Sequence, residues 1–264
     1  MGPLFKIKPI IQQNIDSIKN DEIWLPKVLT LNDPYDCAIK PYLREDLEKG
    51  DLMDSLEELG LVSQLFGHVN SIKYDDFESV AVMNFDIHEA VCEQFKNIGV
   101  CSFLQSPFNI VTWSHYGDQH KGMCLEFEVD DSIEACMQRA FTGYRICPVS
   151  YNNLMPELTW SEFLKAPELA LALCLATKYK DWAYEDEVRL ICYEEEGDRA
   201  VNLAEIGFSL RKVYLGSCVE ESETVKELRE VCDNKGVEVA YLRRKSQSYA
   251  LCSEADIPVD SSGC

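Results

Sequence analysis

From about residue 99 onward the chain is a succession of short, strongly apolar runs, each closed by residues that break regular structure. They are GVCSFLQ (99–105), NIVTWSHY (109–116), GMCLEFEV (122–129), YRICPVSYNN (144–153), EVRLICYEEE (187–196), RKVYLG (211–216), VEVAYLRRK (237–245) and YALCS (249–253). Runs of this length, rich in Val, Ile, Tyr and Phe, read as strands. So many strands must pair in a sheet whose apolar faces need cover, and the helical patterns between them supply it. At the N-terminus PLFKIKPI (3–10) and EIWLPKVL (22–29) read as strands flanking a short helix, QQNIDSIKN (12–20). DDSIEACMQRAF (130–141) carries an Asp helix-start signal, and ETVKELREVCDNKG (223–236) is a helix closed by Gly236. The stretch 161–186 reads as a helix kinked near Pro167 that runs into the strand at 187. The expectation is one α+β domain over 1–264, with a mixed, mostly antiparallel sheet and flanking helices. Residues 43–98 hold few Pro or Gly and space their apolar residues helically, so they read as an acidic helical insertion.

Charge and cysteine usage narrow the function classes. The 25 Lys and Arg against 46 Asp and Glu give a net charge of −21 at pH 7. That sum opposes non-specific nucleic-acid binding, which depends on neutralising phosphates. Twelve cysteines occur with no CxxC, mostly inside apolar runs, which reads as a reduced, cytoplasmic protein with no structural metal site. No run reaches the roughly 18 apolar residues of a membrane span, and neither terminus reads as a lipid anchor. The common phosphate-loop, dinucleotide, metalloprotease, hydrolase and EF-hand motifs are also absent.

Four polar-aromatic clusters remain: FKIK (5–8), LNDPYD (31–36), WSHYGDQHKG (113–122) and WAYEDEVR (182–189). Read as a hairpin tip, 113–122 could stack a heterocycle on Trp113 or Tyr116 and offer His115 or His120 for proton transfer or phosphate contact. The same residues could also be aromatic anchors under a polar loop. In 182–189, strand alternation puts Glu185 and Glu187 on one face and Asp186 on the other. Two carboxylates on one face need a function or a partner, and a solvated surface pair between Glu187 and Arg189 is the competing account. Asp33 and Asp36 could join Glu185 and Glu187 around Mg²⁺, with Lys121 or Lys178 near a phosphate, as in a nuclease or phosphoesterase. Asx-turns would explain the same aspartates structurally. A third reading makes the acidic surface a docking face for a basic partner.

In this order the clusters resemble an uncharacterised bacterial family, domain-of-unknown-function family 2971. The matching stretches are LFKIK (4–8), IWLPKVLTLNDPYD (23–36), VCSFLQ (100–105), VTWSHYGDQHKGMCLEF (111–127), VSY (149–151) and KYKDWAYEDEVRL (178–190). The family's layout is similar to ADP-ribosyltransferase-like toxins and phage-defence proteins. That resemblance implies a split β core with NAD lying across it as cofactor, and an E-x-E whose carboxylate stabilises the ribose cation left when nicotinamide departs. It implies Glu187 or Glu185, assisted by His115, as the catalytic groups. Lys8, Trp113, Tyr116, His120, Lys121 and Asn32 would then hold NAD, with no metal. Lys8 departs from the arginine of that first strand, since an ammonium lacks the guanidinium fork. The implied partners are a macromolecular target and a cognate antitoxin or activator.

Overall fold

The computed structural model describes residues 2–33, 35–37, 40–42, 98–130, 143–159 and 172–253. The expected helical insertion at 43–98, apart from its last residue, lies outside them, as do the expected helix at 130–141, apart from its first residue, and the kink at Pro167.

The first strand, β1 (Leu4–Lys8), is followed by α1 (Gln12–Lys19) and β2 (Glu22–Leu25). A short β3 (Lys40–Tyr42) precedes β4 (Ile98–Leu104), α2 (Ile110–Tyr116) and β5 (Met123–Val129). Then come β6 (Tyr144–Pro148), β7 (Ser150–Asn152), β8 (Glu157–Thr159), β9 (Thr177–Tyr179) and a 3-10 helix over Lys180–Glu185. The chain continues through β10 (Glu187–Glu196), β11 (Arg199–Asn202), β12 (Phe208–Leu215), α3 (Glu223–Lys235), β13 (Glu238–Arg244) and β14 (Leu251–Ser253). Gly236 closes α3 in the left-handed conformation with φ 67°, as its position suggested.

Eight strands form one sheet in the order β14-β13-β12-β5-β1-β4-β10-β6. Every pairing in it is antiparallel except β12 with β13, which α3 connects. The fold is therefore the expected α+β class. On one face Ile15 and Ile18 of α1 and Val225, Leu228, Val231 and Cys232 of α3 cover a core that includes Leu4, Phe103, Phe127 and Leu215. On the other face Trp113 of α2 packs with Phe5, Ile7, Leu104 and Tyr214.

The sheet has a seam. Strand β1 is laddered to β5 over its whole length, from Leu4↔Phe127 to Lys8↔Met123, but meets β4 at one pair, Phe5↔Leu104. Beyond that pair the two strands part. The Lys6 ammonium spans the gap and donates to the Ser102 carbonyl at 2.8 Å.

Three expectations about local structure are corrected. NIVTWSHY is a helix and not a strand: Asn109 caps it, its side chain accepting from Val111 N–H at 2.8 Å and Thr112 N–H at 3.3 Å. The cap and burial of Trp113 outweigh the β preference of Ile110, Val111 and Thr112. WSHYGDQHKG is accordingly the end of this helix and a tight return, not a hairpin tip. Asp118, Gln119 and His120 take φ of 46°, 55° and 69° in succession, which no strand end could hold. The return is clamped: Gly216 N–H donates to the Gly122 carbonyl, and Cys218 N–H to that of His120, both at 2.9 Å. A side chain at Gly216 would run into the His120 carbonyl. Finally, the helix expected through 186 gives way at Ala176 to β9 and the 3-10 helix.

Candidate active site

A cleft of about 110 Å³ opens where β1 and β4 part, its lining including Lys6, Asn32, Ser102, Tyr116, Glu185 and Glu187. At its floor lies a buried charge cluster assembled from three places in the chain. Asp36 comes from the loop after β2, Lys178 from β9, and Glu185, Glu187 and Arg189 from the junction of the 3-10 helix with β10.

The E-x-E geometry arises from that junction. Glu185 ends the 3-10 helix, Asp186 turns the backbone with φ 45°, and Glu187 begins β10. The two glutamates converge, as expected, but through a left-handed turn and not through strand alternation. Asp186 faces away and accepts from the Gln105 amide at 2.8 Å.

Lys178 joins the carboxylates. Its ammonium lies 2.7 Å from Glu185 Oε2, 3.1 Å from Glu187 Oε2 and 3.7 Å from Asp36 Oδ2. Arg189 is fully buried; its Nε donates to Glu187 Oε1 at 2.7 Å and its Nη2 to Asp36 Oδ2 at 2.7 Å and Glu187 Oε2 at 3.2 Å. Its Nη1 donates to the Leu175 carbonyl at 2.6 Å. The competing account of Glu187 and Arg189 as a solvated surface pair therefore fails, since both side chains are buried.

Burial alone would favour neutral forms here, yet the cross-charges prevail. Burial raises the Glu187 pKa, but Arg189 and Lys178 more than compensate and hold it at about 2. Burial likewise lowers that of Lys178, and the three carboxylates reverse the direction and raise it. The neighbouring thiol of Cys37 is pushed up to about 12, first by burial, which leaves it inert as a nucleophile near neutral pH. Three carboxylates face two cations, so the floor keeps one formal negative charge.

The two glutamates differ in how fully they are engaged. Both oxygens of Glu187 are held by cations, and its backbone N–H donates to the Tyr151 hydroxyl at 2.8 Å. Glu185 has one cationic partner, Lys178, and one neutral one, the Tyr116 hydroxyl, which donates to Oε1 at 2.7 Å. The Asn32 amide stands beside that hydroxyl, and burial with the Glu185 contact raises the Tyr116 pKa. Tyr116 reaches the floor because α2 ends there.

Of the other residues singled out from sequence, His115 borders this cluster, its ring centre 6.1 Å from that of Tyr116, and the rest are held elsewhere. Trp113 is a fully buried core side chain whose indole N–H donates to the Pro107 carbonyl at 2.6 Å, leaving no face for a ligand. His120 stacks on Trp113 and pairs with the Ser114 hydroxyl at 3.2 Å. His115 is exposed and sits in an aromatic group with Trp182 and Tyr184, at 6.2 and 6.4 Å between ring centres. Lys121 is on the surface, 3.8 Å from Glu220. Lys8 points to Asn14 Oδ1 at 3.1 Å, and it is Lys6, two residues earlier, that lines the cleft. Sequence reasoning passed over Lys6 and Tyr151. Alternation on β1 could not separate Lys6 from Lys8, since both fall on one face.

A family model described as "Protein of unknown function (DUF2971)" matches residues 112–190. That span contains Tyr116, Lys178, Glu185, Glu187 and Arg189, whereas Lys6, Asn32 and Asp36 precede it. No curated protein and no solved structure matches the chain.

Proposed function

We propose, starting from the likeness of residues 112–190 to the DUF2971 family, that this chain is an ADP-ribosyltransferase-like or NAD-cleaving enzyme. The reading rests on one observation: the seam cleft is electrically polarised. Its lining carries both signs of charge, the carboxylates of Asp36, Glu185 and Glu187 and, besides Lys178, the Lys6 ammonium that donates to the Ser102 carbonyl. NAD has the complementary pattern, a pyridinium-ribose at one end and an anionic pyrophosphate beside it.

In the proposed reaction the bond from ribose C1′ to the nicotinamide nitrogen breaks, and its electron pair leaves with nicotinamide. The positive charge that develops on the ribose is met by a carboxylate already oriented and desolvated, which needs little reorganisation at that moment. Glu185 suits this role better than Glu187, because only one of its oxygens is neutralised by a cation. Glu187 and Arg189 act as positioning residues that fix Lys178 and so Glu185. The ribosyl cation is then captured by water or by a nucleophile of the target, which loses a proton.

The Mg²⁺-dependent alternative has weaker support. Lys178 and Arg189 occupy the space in front of the carboxylates that a divalent ion would need. The cytoplasmic setting is likewise a proposal, supported by nine described cysteines that are all unpaired. Among the described residues no helix is long and apolar enough to cross a membrane. In a toxin or defence setting the partners would be a macromolecular target and a cognate antitoxin or activator.

The test is nicotinamide release from NAD by the wild type, Glu185→Gln and Glu187→Gln, with and without EDTA. Loss of one preorganised charge at the reacting centre should lower turnover by about 10²–10³-fold. We expect that loss in Glu185→Gln, with release by the wild type unaffected by EDTA. Release abolished by EDTA, or equal in the wild type and both variants, would overturn the reading.

A further inference from the structure

A second and larger cavity, of about 270 Å³, shares Lys178 with the cleft and takes other residues of the same loop after β2 into its lining. Asn32 and Asp36 face the charged cleft, whereas Asp33 and Tyr35 line the second cavity, and Lys178 contributes to both. Its other walls include Asn152 and Tyr179, which are cross-strand partners of β7 and β9, and the adjoining Asn153 and Leu154.

The wall chemistry suggests what the cavity takes. Tyr35, Leu154 and Tyr179 leave 71%, 77% and 47% of their surface open to solvent, an uncommon exposure for three large apolar groups around one concavity. The side-chain amides of Asn152 and Asn153 make no hydrogen bond with any described residue. Asp33 is already committed: Oδ2 accepts from the Trp182 indole at 3.0 Å and Oδ1 from the Tyr35 N–H at 2.9 Å. It therefore fixes the wall and does not supply a free charge. The cavity presents aromatic surface for stacking and two amides able both to donate and to accept.

We propose that this cavity is a nucleobase-binding site. A base offers the planar face that Tyr35 or Tyr179 would cover, worth about 1–3 kcal/mol by stacking. Its edge carries the mixed donors and acceptors that Asn amides match. The volume suits one base and not a dinucleotide. The site stands independently of the NAD reading, and the base has two candidate sources: the adenine half of NAD, or the base of a separate nucleotide.

The experiment uses the full chain with adenosine, guanosine, cytidine and uridine as probes, followed by ligand-observed NMR titration. The wild type should bind at least one nucleoside. Tyr179→Ala and, separately, Asn153→Ala should each weaken that binding about tenfold or more, with unchanged circular dichroism. Lys226→Ala, on the exposed surface of α3 and outside the cavity lining, should bind as the wild type does. Competition then identifies the source. Displacement by NAD assigns the base to its adenine half, and additive binding assigns it to a separate nucleotide. Absence of binding by all four nucleosides at millimolar concentration, or binding that survives both cavity substitutions, would overturn the proposal. Nucleoside binding without nicotinamide release would leave it standing while the NAD reading fails.

Discussion

Lys8 shows how one side chain of a strand can work against the fold. Burial, with the like charge of Lys6 added, lowers its pKa to about 8. A lysine is near 10.4 when unfolded, so the unfolded chain binds more protons between about pH 8 and 10.5, and stability rises with pH across that window. Below it the folded protein bears the full penalty of a charged, part-buried ammonium, offset only partly by Asn14. Lys8→Met should therefore stabilise by about 1–2 kcal/mol at pH 7, a gain that fades toward pH 10.5. Urea midpoints of the two proteins at both pH values measure it, and a gain independent of pH would assign the effect to packing instead. At this scale the sequence disclosed the site unevenly. Glu185, Glu187, Tyr116 and Asn32 stood out as residue types in dense clusters, and they do meet in one cleft. Arg189 was visible only as a neighbour of Glu187, because its bond to Asp36 spans 153 positions and no local pattern encodes it. Lys6 was hidden by the seam, which no strand pattern announces.

The least legible element was α2, and its cap explains both the misreading and its importance. A run of Ile, Val and Thr favours strand on local propensity, so the decisive signal was the preceding Asn109. Asn109 does more than start the helix. Its amide also donates to the Tyr184 carbonyl at 2.5 Å, tying α2 to the 3-10 helix that carries Glu185. The cap thereby joins the two elements that present Tyr116 and Glu185 to each other. Asn109→Ala should cost about 1–2 kcal/mol of stability. It should also loosen the Tyr116–Glu185 contact, whereas Ser222→Ala, at the cap of α3, should lower stability without touching the cleft. Denaturant unfolding of the two variants, with nicotinamide release alongside, separates these effects. Equal activity loss in both would show that the cap matters only through global stability. The strands themselves were read well, since apolar runs bounded by breakers have few other uses.

Across the whole molecule the seam divides the sheet into β14-β13-β12-β5-β1 on one side and β4-β10-β6 on the other. Joined at a single residue pair, they invite description as two lobes able to open independently. The connectivity argues otherwise. Passing through β1, β4, β5, β6, β10 and β12, the described chain crosses the seam four times, so neither side is built from a continuous stretch. Hydrogen exchange should accordingly find the most protected amides of β5 and β10 opening with the same free energy, as one cooperative unit. A lower opening energy confined to β10 would show the smaller side to be a separate foldon. The same weave bears on gene architecture. A cut placed anywhere between β1 and β12 divides the five-strand side between the two fragments, and one between β4 and β10 divides both sides, so the described sheet has no natural site for fission into two independently expressed pieces. A recombination event that exchanged only its first or second half would have to bring matching strands for both sides of the seam at once.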